Sequence, residues 1–474
     1  MHIRLAASKL LAIGLPLATL IPAASAAEGP ADIAALRQEI DSIRSAYEAR
    51  LLALEQRLKA AERGIATAAA GFAPAVVATT PPTPAAVAPV AQPVKAIGDA
   101  SNAFNPALSL ILSGLYARTS SNPASVGIAG FHVKDGAEVG WASRGFSLTE
   151  SELGLSAHID SWLRGVASVA LHPDDAVSVE EAYVQTTSLG HGLSFKAGRF
   201  LSNVGYLNAQ HAHSWDFADN PLAYQTLLGT QLADDGLQLR WLAPTDRFIE
   251  LGIELGRGRS FPGGDNNRNG PGLVTLAAHA GGDIGDSHSW RAGVSVLGAK
   301  AEDQALAGLD GAGRAVSSRF SGRTRVWVAD AVWKWAPDGN ATRTSFKLQG
   351  EYLRSTREGN LLYDTDNANA SGAYRAVQSG WYLQGVWQFM PAWRLGLRTE
   401  RLHAGTPRFE PGAQLLGSTG FAPGKNTWML DFSPSEFSRV RLQWADDRSR
   451  PGSADRQLVL QYQTSLGAHG AHGY

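Results

Sequence analysis

From residue 106 onward, large apolar residues fall on alternate positions with polar ones between them. Leu108, Leu110 and Leu112 alternate with Ser109 and Ser113, and Leu153, Leu155 and Ala157 with Glu152 and Ser156. The pattern returns in Leu237, Leu239 and Trp241 against Gln238 and Arg240, and in Trp393, Leu395 and Leu397 against Arg394 and Arg398. It continues in Val440, Leu442 and Trp444 against Arg439, Arg441 and Gln443, and ends in Leu458, Leu460 and Tyr462 against Gln457 and Gln461. A period of two means extended chain with two unlike faces, because successive side chains of a strand point to opposite sides. The pattern predicts about sixteen strands, near 106–116, 146–159, 162–171, 177–188, 192–199, 234–243, 247–256, 272–283, 288–299, 322–336, 342–355, 377–390, 392–403, 425–433, 437–446 and 455–467.

The connections alternate in length. Asp160-Ser161, Leu189-Gly190-His191, Ala243 to Asp246, Pro337 to Asn340, Pro391 and Ser433 to Glu436 are tight. The others, 117–145, 200–233, 257–271, 300–321, 356–376 and 404–424, read as long loops. A soluble sandwich has no reason to keep that parity, whereas a membrane barrel carries turns on one rim and loops on the other. The expected fold is all-β: a transmembrane antiparallel β-barrel of about 16 strands spanning 102–474.

Ahead of the barrel the pattern changes. Ile33, Leu36, Ile40, Ile43, Tyr47, Leu51, Leu54 and Leu58 are spaced by threes and fours, which predicts a helix within 27–63 bearing one narrow apolar stripe. A lone helix of that kind is marginal in water. It either associates with copies of itself as a coiled coil or folds back on its own chain, and isoleucine at Ile40 and Ile43 favours three or more helices. Residues 64–101 collapse to Ala, Val, Thr and Pro, a semi-rigid linker with no core. At the front, Arg4 and Lys9, the apolar run Leu10 to Ile21 and Ala24-Ser25-Ala26 have the form of a cleaved signal peptide over 1–26. Export places the helix in the periplasm and the barrel in a bacterial outer membrane, against lipid and lipopolysaccharide.

Composition narrows the chemistry. Lys+Arg 42 against Asp+Glu 43 gives a net charge of -1, so nothing recommends nucleic acid as a partner. Cys 0 excludes disulfides, a thiolate nucleophile and Cys-ligated zinc. Mean hydropathy of -0.13 and the lack of a long apolar run after residue 26 argue against spanning helices and leave a barrel open. Trp162, Trp241, Trp290, Trp327, Trp333, Trp335, Trp381, Trp387, Trp393, Trp428 and Trp444 fall mostly near strand ends or on the apolar face, where rings sit at lipid headgroups. Tyr474 shares the even register of Tyr462 and is the kind of terminal aromatic that barrel assembly machinery reads.

With these features, residues 102 to 474 resemble the sixteen-stranded outer-membrane porins and, more loosely, the phosphate-selective porin group. The local carriers are Glu181-Ala182-Tyr183-Val184, Leu193 to Phe200 with its Gly198-Arg199-Phe200, and Gly205. The resemblance implies a water-filled channel for passive diffusion of small hydrophilic solutes or ions and a third outer loop that narrows the pore, while the isoleucine-rich helix makes a homotrimer the expected assembly. Phosphate selectivity does not carry over, because no ladder of Arg with a Lys cluster is legible.

That loop is 200–233, rich in apolar and aromatic residues such as Tyr206, Trp215, Phe217 and Leu222. It either folds into the barrel or lies over it as a lid. Its polar residues His211, His213, Asp216 and Asp219 are candidate constriction residues. If the apolar face of the late strands meets lipid, Arg394, Arg398, Arg439 and Arg441 form an opposing positive wall, with Glu400 beside them and Glu150, Glu152, Arg164, Lys347 and Glu351 elsewhere in the lumen. These charges either set a transverse field across a pore or simply satisfy one another.

Two imidazoles and two carboxylates within 211–219 could suit Zn²⁺ or Cu²⁺ in a metal-related uptake channel, but their spacing matches no established motif, so no metal and no cofactor is assigned. His469 and His472 carry still less. No serine sits in a nucleophile motif, so no enzyme activity is expected, and a plugged 22-stranded receptor lacks the chain length before its barrel. The remaining alternative is an envelope tether or adhesin-like barrel whose coiled coil makes the contacts.

Overall fold

The computed structural model describes residues 106–467 apart from 124–126, 138, 142, 265–266, 268, 417–419 and 453. The expected signal peptide, helix and linker, His469, His472 and Tyr474 lie outside the described residues. Sixteen antiparallel strands form the barrel: β1 Ala107–Thr119, β2 Ser151–His158, β3 Leu163–Leu171, β4 Val177–Thr186, β5 Leu193–Leu201, β6 Ala233–Leu242, β7 Phe248–Gly256 and β8 Leu273–Ile284 make one half. The other half is β9 His288–Leu309, β10 Ala315–Trp335, β11 Ser345–Tyr363, β12 Ala370–Met390, β13 Trp393–His403, β14 Gly424–Ser435, β15 Ser438–Arg448 and β16 Asp455–Gly467. Each strand pairs with the next. β1 pairs with β16 from Ser109↔Gly467 to Thr119↔Gln457, which closes the cylinder and leaves no edge to aggregate.

The faces follow the alternation. Leu395 and Leu397, Trp428 and Leu430, Leu442 and Trp444, and Leu458, Leu460 and Tyr462 point outward and are exposed, while Arg398, Glu400, Lys425, Asp431 and Arg441 point inward and are buried. An apolar exterior and a polar interior reverse the arrangement of a soluble protein and fit lipid as the outer solvent.

Two expected loops are strands. The segments 300–321 and 356–376 are taken up by extended hairpins, with β9 running to Leu309, β10 starting at Ala315, β11 running to Tyr363 and β12 starting at Ala370. The alternation persists there but its polarity inverts. Leu306, Val316, Phe320, Leu361, Tyr363 and Tyr374 face inward into an apolar cluster, while Arg319, Arg323, Arg325 and Glu358 are exposed outside. Charged residues on the outer face suit water rather than lipid around this part of the wall, and the apolar-out signature that marks a membrane strand is lost.

Aromatic rings mark both ends of the lipid-facing band. Near the tight turns, Trp290 lies opposite Trp333, Trp335 and Trp387 both lie opposite Phe346, and Trp393 lies opposite Phe432. Toward the loops, Tyr352 lies opposite Trp381 and Trp428 opposite Trp444. On β10 the step from Trp327 to Trp335 corresponds to about 27 Å along the strand, which after tilting gives roughly the height of an outer-membrane apolar belt.

Candidate functional site

The chain between β5 and β6 does not stay outside. Residues 202–232, with a short helix α1 at Leu222–Leu227, pack against inward-facing side chains of the wall, and Val204, Leu207, Trp215, Leu222, Tyr224 and Leu228 are buried with Val326, Val328, Leu353, Tyr382 and Leu402. The first long connection joins them through Ile128 and Phe131. Apolar residues in a connection this long are explained by this internal packing.

Wall carboxylates fasten the loop at intervals. Ser202 and Asn203 donate to Glu254 on β7 at 2.5 and 2.8 Å. Glu351 on β11 accepts the backbone N–H groups of Tyr206 and Leu207 at 3.1 and 2.9 Å and the hydroxyls of Tyr224 and Tyr382 at 2.8 and 2.6 Å. A Cβ at Gly205, whose φ is +69°, would strike that carboxylate, so this position of the motif needs glycine for both conformation and approach. Glu400 on β13 accepts the N–H of Leu222 at 2.6 Å.

The acidic pair of the loop meets the guanidinium wall directly. Asp216 contacts Lys347, Arg394 at 3.3 Å and Gln384 at 3.2 Å. Asp219 accepts from Arg398 at 2.8 Å, Lys425 at 2.5 Å and Gln443 at 2.9 Å. Asp431 on β14 balances the cations behind them, bonded to Arg394 at 2.5 Å and Arg441 at 2.7 Å. Arg441 also donates to the carbonyl of Trp215 at 3.1 Å, and Arg439 to that of His213 at 2.9 Å. Burial alone would raise the Asp216 carboxyl, but Lys347 and Arg394 hold it down at about 2. Asp219 is likewise raised by burial and driven well below the usual carboxylate range by Lys425 and Arg398. Both carboxyls are therefore ionised across the neutral range.

His211 and His213 face the opposite wall. Nδ1 of His211 lies 3.2 Å from Glu180 and 3.3 Å from Glu152, and Nε2 lies 3.1 Å from Glu181. Nδ1 of His213 lies 2.8 Å from Glu152, and the two rings stack at 5.5 Å. Burial disfavours a charged His211, yet hydrogen bonds with Glu152, Glu180 and Glu181 raise its pKa well above the ordinary value. Adjacent residues of a regular strand cannot both reach one ring. Here Ser168 pairs with Glu181 and Val169 with Val179, so Glu180 is the extra residue of a β-bulge and shares the inner side with Glu181.

Thus all eight expected constriction residues lie at the loop–wall contacts, in two groups on two walls. Sequence reasoning did not single out Lys425, Asp431 or Glu180. The first two are polar alternates of a predicted strand and were findable by continuing the face count; the bulge that turns Glu180 inward leaves no mark in the hydrophobic pattern.

An even-numbered closed barrel, apolar outside between two aromatic rims and polar within, has the architecture of the outer-membrane class. No family model matches the chain. An uncharacterized protein of Aquifex aeolicus is 29% identical over 397 residues, covering 79% of this chain and 81% of that one. Similar solved structures include the in-vitro folded trimer form of OmpT, an outer membrane protein of Vibrio cholerae, at 12% identity and a TM-score of 0.46, covering 76% of this chain and 99% of that one. The outer membrane channel DcaP of Acinetobacter baumannii matches at 12% and 0.45, covering 76% and 97%. An anion-selective porin from Comamonas acidovorans matches at 10% and 0.46, covering 76% and 99%.

Proposed function

We propose that the chain is an outer-membrane porin that lets small hydrophilic solutes or ions diffuse passively, narrowed by the loop at 202–232. The observation that carries this reading is the unequal filling of the lumen. Against β13–β15 the loop is sealed: the side chains of Arg398 and Arg441 are 1% exposed and Asp431 is 0% exposed. Toward β3–β7 polar side chains keep contact with solvent, including Arg164 and Arg240, the latter 34% exposed. On this reading Asp216, Asp219, Arg394, Arg398, Arg439 and Arg441 set the constriction by holding the loop in place, while His211 and His213 border the passage. The role on this reading is non-catalytic, and the Ser214 hydroxyl serves the loop itself by donating to the carbonyl of His211 at 2.7 Å.

Planar-bilayer recording tests the reading. Folded wild-type protein should give steady conductance, with a reversal potential in a salt gradient that reports its ion preference. Deleting 208–220 should raise the conductance while the barrel stays folded. A wild type that conducts nothing would instead favour the tether, in which the barrel only anchors the coiled coil.

We further propose that the protein is a homotrimer in which the low wall of β2–β5 packs around the three-fold axis. Those strands have 8 to 10 residues against 19 to 22 in β9–β12. At the loop end of the low wall Phe146 is 88% exposed. A low wall is shielded when it faces two copies of itself.

A further inference from the structure

We propose that Glu152, His211 and His213 bind a divalent transition cation of the Zn²⁺ or Cu²⁺ kind, with Glu180 as an additional oxygen donor. This goes beyond the channel reading and does not depend on it. One donor atom from each of the three residues lies within 4.8 Å of the others. Metal–ligand distances of about 2.0–2.2 Å place donors roughly 3.4 Å apart around a tetrahedral ion. The separations of Glu152 Oε2 from the two Nδ1 atoms, 2.8 and 3.3 Å, both lie a little below that value. Small side-chain rotations bring the set together.

Independent features mark the place as built for a cation. Glu152 is only 7% exposed, and its Oε2 faces both imidazoles, 2.8 Å from Nδ1 of His213 and 3.3 Å from Nδ1 of His211, at angles short of a well-formed hydrogen bond. Its other oxygen is held by the hydroxyl of Ser168. Glu181 holds Nε2 of His211, which leaves Nδ1 as the coordinating nitrogen and fixes the ring, the outer-partner arrangement that metal-binding histidines use. The bulge at Glu180 costs a regular ladder rung and returns a second carboxylate 3.2 Å from the same Nδ1.

Charge argues the same way. Glu150 is in hydrogen-bond contact with Glu180, and Lys196 is the cation that faces Glu181 from β5. A hydrogen bond between two carboxyls needs a proton, so one of that pair is neutral, and three carboxylates share a small space with two imidazoles and one ammonium group. A dication balances the negative charge that remains. Two imidazoles with a carboxylate form a borderline donor set that suits Zn²⁺, Cu²⁺, Co²⁺ or Ni²⁺ and not the all-oxygen cages of Ca²⁺ or Mg²⁺. The side chains of His211 and Glu180 remain 19% and 11% exposed, so an ion can enter and a water can complete the coordination.

The test uses the untagged full chain, folded in detergent and stripped with a chelator. Titration with Zn²⁺ should find one ion per chain at this site, and the Cu²⁺-loaded protein should show nitrogen hyperfine coupling from two imidazoles in its electron paramagnetic resonance spectrum. Glu152→Gln and His213→Ala should each weaken Zn²⁺ binding at least about tenfold, whereas a His469→Ala/His472→Ala double variant should leave it unchanged. If a site variant fails to fold, the Cu²⁺ spectrum of the wild type decides alone. A wild type that binds neither ion, a spectrum without imidazole nitrogen, or binding lost only with the terminal histidines overturns the proposal and leaves the cluster as an ion-pair latch.

Discussion

Asp219 has three side-chain donors from three strands, Arg398, Lys425 and Gln443. Breaking a buried ion pair by removing one partner costs about 3–5 kcal/mol, because the partner left behind stays charged and dry. Asp219→Asn leaves Arg398 with Glu400, and Lys425 with the more distant influence of Asp447 and Glu400. The expected outcome is a folded barrel with a loosened loop, seen as larger and noisier single-channel currents; currents identical to wild type would mean that the loop is held without this contact. Asp216 gives a pH signature. Its carboxyl falls from 3.8 to about 2, facing Lys347 and Arg394, so the stability it adds is complete above pH 3.8 and is lost as pH falls through about 2. Currents should stay quiet from neutral pH to about 4 and become noisy only near 2. The four arginines were legible because they are polar alternates on strands whose apolar face was plain, and the acidic pair because it stands in a long connection too apolar to be an ordinary exposed loop. Their pairing was not, since register between a loop and a wall is fixed only by three-dimensional packing.

At the scale of elements, the hairpin β9–β10 turns at residues 310–314 and carries a polar outer face near its tip, whereas the turn between β10 and β11 at Pro337–Gly339 sits beside the tryptophans of the other rim. If the loops face the outside, protease added to intact cells should cut at Arg314 and spare 337–341. Cleavage in 337–341 on sealed cells would invert the orientation. All sixteen strands were legible from period two, and the turns from Pro, Gly, Asn and Asp. What could not be read was length. A membrane strand is marked by apolar residues facing out, and beyond the lipid-facing band β10 faces outward with Arg319, Arg323 and Arg325 instead. The same alternation then looks like a charged loop. A pattern search that admits a sign change along one strand would have recovered the hairpins.

For the whole molecule, association decides whether the low wall meets lipid or protein. Detergent-purified protein examined by sedimentation with the detergent contribution removed should have the mass of three chains, and Val177→Lys in the outer face of β4 should shift it toward one. A wild type that sediments as a single chain would leave the low wall to lipid and end the trimer proposal. The inversion of polarity along β9–β12 reaches further than strand length. A ship's hull painted in two colours shows its draught, and this wall is painted the same way: Trp327, Tyr352 and Trp381 lie just below Arg325, Arg354 and Ser379 on the same outward rows. Sinking the barrel by one outward residue would drag the guanidinium groups of Arg325 and Arg354 into hydrocarbon, and lifting it would bare the aromatic rings to water. The protein therefore carries its own waterline, and the loop packed inside it hangs at a depth set by the wall rather than by the thickness of whichever bilayer receives it.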